Sequence, residues 1–112
     1  MASVDELWIV DFGEPYPSEP AWHRPALIVG PAPEFGTELP FVIVCPLTTT
    51  FRGLPTHVEI EPERGSGLDD VSYVQCELVR SVGRGRLVHR TGTLDAERSF
   101  AVHDVLKMLL GH

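Results

Sequence analysis

The chain has 112 residues, of which 43% are apolar, with ten glycines, ten prolines and a formal net charge of −7. That length gives one domain, residues 1–112, with a single core, and the acidic balance excludes a strongly basic coat while leaving room for a local basic patch. The longest apolar run, Phe41 to Leu47, is too short to span a membrane, and the first residues have neither a basic region nor a long apolar core, so we expect no signal peptide and a cytoplasmic protein.

Leu7 to Phe12 reads as a first strand. Gly13 to His23 follows as a loop with Pro15, Pro17 and Pro20, well beyond a tight turn and so expected to be functional or partner-binding. Arg24 to Val29 is a second strand, and Pro25 holds Arg24 extended. Gly30 to Pro40 is a Pro/Gly connection. Phe41 to Leu47, continuously apolar, is expected to be central and buried on both faces. Thr48 to Pro55 is a loop, Thr56 to Ile60 alternates as a strand, and Glu61 to Asp70 is a turn region. Val71 to Val79 is predicted as one further strand, Val82 to Leu87 as a short turn or single helical turn, and Val88 to Leu94 as a last strand.

Asp95 to Leu110 is the one predicted α-helix. Asp95 is a good N-cap, Glu97 suits the positive end of the helix dipole, and Gly111 is a natural stop. Val102, Val105, Leu106 and Leu109 make an apolar stripe, while Phe100 falls on the polar side. The resulting fold class is mainly β: a small, strongly bent antiparallel barrel, SH3-like in size, with a C-terminal helix.

Cys45 and Cys76 lie in apolar or strand-like runs without a Cys or His at metal-ligand spacing. We read them as two small buried thiols in a reducing compartment and expect no metal or cofactor. Two polar clusters sit at strand ends. The first is Ser18, Glu19, His23 and Arg24, ahead of the second strand; the other is Thr48, Thr49 and Thr50, after the third. Loops held by a rigid scaffold favour binding and catalytic groups.

Several stretches together resemble the MazF/PemK family of toxin endoribonucleases: Leu-Trp-Ile-Val-Asp-Phe (7–12), Ser-Glu-Pro-Ala-Trp-His-Arg-Pro-Ala-Leu-Ile-Val (18–29), Val-Cys-Pro-Leu-Thr-Thr (44–49), Leu-Pro-Thr-His-Val-Glu-Ile (54–60), Gly-Leu (67–68) and Gly-Thr-Leu (92–94) before the helix. The resemblance implies a homodimeric toxin with an SH3-like barrel, neutralised by a MazE-like antitoxin whose tail lies across the active groove. It also implies a sequence-specific, metal-independent cut in single-stranded RNA that leaves a 2′,3′-cyclic phosphate and a 5′-hydroxyl. The family's Arg of the Arg-Pro strand matches Arg24, its Thr after the third strand matches Thr48, and its acidic loop residue matches Glu19. Glu77 is followed by Leu78 where the family often has Gln, and Gly83 stands where it often has Asp.

Those residues suit the reaction. A guanidinium donates two parallel N–H groups to phosphate oxygens, so Arg24 fits a charged phosphorane. Thr48 can add a hydroxyl donor, and Glu19 either takes the 2′-hydroxyl proton or orients Arg24. Ser18, His23, Thr49, Phe51 and Arg52 are expected RNA contacts, with Phe51 stacking on a base. His57 is a rival acid–base group. The catalytic reading requires Arg24 and Thr48 to face one groove. Two other readings stay open: a CcdB-like topoisomerase poison leaning on the helix (Phe100, His112), and an SH3-like binding module.

Overall fold

The computed structural model describes residues 2–14, 22–35, 38–62 and 65–112. Apolar runs that alternate or are buried on both faces become strands. β1 (Glu6–Asp11), β2 (His23–Gly30) and β3 (Phe41–Thr48) form successive antiparallel ladders. β4 (His57–Ile60) pairs with β5 (Ser72–Gln75), which also pairs with the end of β3. β6 (Arg80–Gly83) pairs with the start of β3, and β7 (Leu87–Thr93) returns to β1. Helix α1 (Ala96–Leu109) ends the fold. The order is β4-β5-β3-β2-β1-β7, with β6 also on β3. This is the expected bent antiparallel sheet with a C-terminal helix, although the ladder does not close: among the described residues β4 and β7 are its ends.

The stretch predicted as one strand over 71–79 is broken. A 3-10 turn over Cys76–Leu78 separates β5 from β6. The reason lies in register. β3 pairs Leu47 with Val74 but Val44 with Arg80, so three residues of β3 span six of its neighbour. The turn absorbs the surplus, which apolar alternation continuing to Leu78 does not reveal. Val82 and Gly83, read as part of a turn, complete β6, and only Arg84–Arg86 form a 3-10 turn.

β3 is buried on both faces and divides the core. One cluster (Leu7, Leu27, Cys45, Leu47, Val58, Ile60, Val74 and Cys76) packs under α1 against Leu94, Val102 and Leu106. The other joins Val10, Phe12, Ala26, Ile28, Val42, Val44 and Val82. The Asp95 carboxylate caps α1, accepting from the Arg98 N–H at 2.8 Å. Leu109, predicted in the apolar stripe, is 42% exposed, and Phe100 is 75% exposed. Asp5 fastens the N-terminal segment to the helix. Its carboxylate accepts from the Ser99 hydroxyl at 2.7 Å and its carbonyl from the Leu94 N–H at 2.8 Å. It does so at φ +75°, a conformation that costs a non-glycine residue about 1–3 kcal/mol. Among the described residues no helix is long and apolar enough to cross a membrane.

Gly67 has φ +74°, and a Cβ there would run into the Thr91 carbonyl. Gly67→Ala is therefore expected to lower unfolding stability by about 2–4 kcal/mol in urea titrations. A loss below about 0.5 kcal/mol, the range of neutral surface changes, would mean that this contact does not constrain the fold.

Candidate active site

The site forms where two ladders part company. β2 pairs with β3 through Ile28↔Val44, Leu27↔Cys45 and Ala26↔Pro46. Carried one pleat step further, this register brings Arg24 level with Thr48. The β2–β3 ladder has ended there, and β3 has turned to β5 through Leu47↔Val74 and Thr48↔Tyr73. Strand alternation gives Arg24 the face of Ala26 and Ile28, and Thr48 the face of Pro46 and Val44. That is one face, the one turned away from α1. The two predicted groups therefore share a surface at the ladder divergence.

Thr48 is 8% exposed. Its Oγ1 accepts from the Thr50 N–H at 3.2 Å, which leaves the hydroxyl proton available to donate outward. Arg24 is half-buried beside Val10, its ladder partner, and among the described residues no carboxylate pairs with it. Ser18 and Glu19 lie outside the described residues. His23, one residue from Arg24, turns to the opposite face, where its Nε2 is 3.8 Å from the Asp11 carboxylate. Thr49, Phe51 and Arg52 are exposed in the loop after β3.

A second guanidinium comes from Arg80, to which the sequence reading assigned no role. Arg80 pairs with Val44 on β6 and reaches over the Phe12 ring, 5.5 Å from its centroid. Phe12 lies two residues along from Val10, so Arg80 and Arg24 border the same end of the sheet. The signal was in the sequence. Arg80 is in phase with the buried Val82, and an arginine on a buried strand face marks a built position. Nearby, Arg86 donates to the Asp11 carbonyl at 3.2 Å.

Beyond Thr48 lies a cavity of about 220 Å³ lined by Phe51, Gly53, Leu54, His57, Glu59 and Tyr73. Phe51 and Tyr73 meet edge to face at 5.7 Å. The His57 side chain is 3% exposed and its Nε2 lies 2.9 Å from Glu77 Oε2, while Thr56 donates to Oε1 of the same carboxylate at 2.8 Å. Among the described residues, His57 Nδ1 and Gln75 Oε1, on paired residues, have no hydrogen-bond partner. Another cavity, of about 210 Å³ near the start of α1, has four carboxylates (Glu59, Glu61, Asp95 and Glu97) against one guanidinium (Arg98) in its lining, a net charge wrong for a phosphate.

Burial pushes the Glu77 carboxyl up, but hydrogen bonds from His57, the backbone and Thr56 outweigh it and hold the group below its ordinary 4.5. A lowered folded value gives stability that is present above the unfolded value and is lost as pH falls through the folded one. Urea midpoints measured across that acid range should fall for the native protein. Glu77→Gln should be less stable at neutral pH and lose part of the acid slope. A variant that keeps the full slope would show that this clasp is not its source.

The family described as PemK-like, MazF-like toxin of type II toxin–antitoxin system matches residues 4–110 of this chain. Among solved structures, MazF from Deinococcus radiodurans is similar with a TM-score of 0.83 at 25% identity, over 99% of this chain and 97% of that one. The Mycobacterium tuberculosis toxin MazF-mt6 gives 0.76 at 26% identity, over 94% and 95%. A MazE–MazF complex from Deinococcus radiodurans gives 0.75 at 26% identity, over 98% and 95%. The match runs from the start of β1 through α1 and takes in both Arg24 and Thr48. This chain belongs to the PemK/MazF family of toxins of type II toxin–antitoxin systems.

Proposed function

We propose that this toxin is an endoribonuclease that cuts single-stranded RNA sequence-specifically and without a metal, by attack of a 2′-hydroxyl on the adjacent phosphate. The reading rests on Arg24 and Thr48 sharing one face where the β2–β3 and β3–β5 ladders diverge. In the reaction the 2′-oxygen loses its proton to a base and bonds to phosphorus. The bond from phosphorus to the 5′-oxygen breaks, and that oxygen takes a proton. The products are a 2′,3′-cyclic phosphate and a 5′-hydroxyl.

Arg24 donates two N–H groups to the phosphorane oxygens, and Thr48 adds its hydroxyl proton. Arg80 supplies further positive charge at the same end. Glu19 takes the 2′-proton or orients Arg24. Phe51 and Tyr73 offer aromatic surface to a base near the cut, and Arg52 a phosphate contact. Ser18, His23 and Thr49 complete the contact surface in this reading. The toxin acts as a homodimer, and the tail of a MazE-like antitoxin occupies the same groove.

The test is purified protein with a long RNA in EDTA, with the cut ends mapped. Cuts at one short motif with cyclic phosphate ends are expected. Arg24→Ala and Thr48→Val should each lower the rate by about 10²–10³ while unfolding midpoints stay near the native value. RNA left intact while cells still arrest would overturn the nuclease reading and favour a CcdB-like one, for which the exposed Phe100 on α1 is the supporting observation.

A further inference from the structure

The nuclease reading leaves a pair of thiols unused. β3 and β5 pair Leu47 with Val74 and Thr48 with Tyr73. Two residues further in lie Cys45 on β3 and Cys76, the first residue of the 3-10 turn after β5, whose N–H still donates to the Thr56 carbonyl of the β4 side at 3.2 Å. Both lie in the core cluster beneath α1, both have no exposed surface, and both are free. A disulfide needs Cβ atoms about 3.5–4.5 Å apart, and the side chains of these two residues are in contact. The chain at Cys76 can adjust to that span, because Cys76–Leu78 is a single 3-10 turn, closed by the Val79 N–H on the Cys76 carbonyl at 3.2 Å.

The thiols also act on each other. Contact with Cys76, followed by burial, pushes the Cys45 thiol up, and the same contact holds the Cys76 thiol below its ordinary value. Cys76 opens the 3-10 turn, the part of the cluster able to unfold locally, and so is the sulfur that meets an oxidant first.

We propose that Cys45 and Cys76 are a reversible dithiol–disulfide pair, closed by small hydroperoxides, that cross-links β3 to β5 beside Thr48. The Cys76 thiolate attacks the peroxide O–O bond, giving a sulfenic acid and, after protonation of the leaving oxygen, water or an alcohol. The Cys45 thiol then gives up its proton and attacks the Cys76 sulfur. The S–O bond breaks, water leaves and the S–S bond forms. Two thiols are oxidised and one peroxide is reduced. Because both sulfurs are buried, reaction waits on local opening of the 3-10 turn. Oxidation ties the strand end carrying Thr48 to its neighbour, in a compartment where such bonds are transient.

The test treats the reduced full-length protein with hydrogen peroxide under native conditions, then denatures it, alkylates free thiols and maps peptides. Met108, 65% exposed, reports that oxidant was sufficient by becoming the sulfoxide. About a tenfold loss of alkylatable thiol is expected, with a Cys45–Cys76 linked peptide that dithiothreitol reverses. Cys45→Ser and Cys76→Ser should each abolish the linked peptide; alanine variants serve if serine unfolds the core. The proposal is overturned if Met108 is fully oxidised while both thiols remain alkylatable. It is equally overturned if they are lost as oxygen adducts or intermolecular bonds. The assay reads thiols alone, so its failure is separate from failure of the nuclease reading.

Discussion

β3 is hydrogen-bonded to three strands along its eight residues, and that shared use sets the rest of the molecule. One edge carries β2. The other carries β6 first and β5 beyond it. Neither edge nor face of β3 meets water over most of its length, which is why its sequence is almost wholly apolar. The register mismatch between β5 and β6 must be absorbed somewhere, and the 3-10 turn at Cys76–Leu78 absorbs it. The same mismatch turns the end of β3 away from β2 and creates the divergence at which Arg24 and Thr48 lie. The bend of the sheet and the placing of these two candidate residues are thus one geometric fact.

Charge is distributed to match. The chain is acidic overall, with a formal net charge of −7. Yet guanidinium groups gather at one end of the sheet. Arg80 lies over Phe12 and Arg86 reaches the Asp11 carbonyl, close to Arg24. The carboxylates around the start of α1 lie elsewhere. A polyanion approaching such a surface is attracted locally and repelled elsewhere, which favours one docking orientation and makes affinity steeply salt-dependent. In the proposed nuclease, the aromatic pair of Phe51 and Tyr73 beyond Thr48 adds contact that salt does not screen.

The helix plays a supporting part. Its buried face, Val102 and Leu106, seals the cluster that contains both cysteines, and Asp5 anchors it to the N-terminal segment through Ser99. Its outer face presents Phe100 and Met108 to solvent, on the side of the sheet away from Arg24. The catalytic candidates and the helix therefore work from opposite faces of one sheet.

Much of this was legible in the sequence. Period-two alternation and continuous apolar runs gave the strands, Asp95 and Gly111 gave the helix limits, and the ordered motifs pointed to the family and to Arg24 and Thr48. These are local signals, set by side-chain chemistry and by the fixed periods of helix and strand. The break between β5 and β6, the turning of His23 away from Arg24, the arrival of Arg80 over Phe12 and the meeting of Cys45 and Cys76 were decided by tertiary structure. Each depends on register between strands distant in sequence, where a single-residue shift moves every side chain to the other face, and no local period encodes which register is adopted.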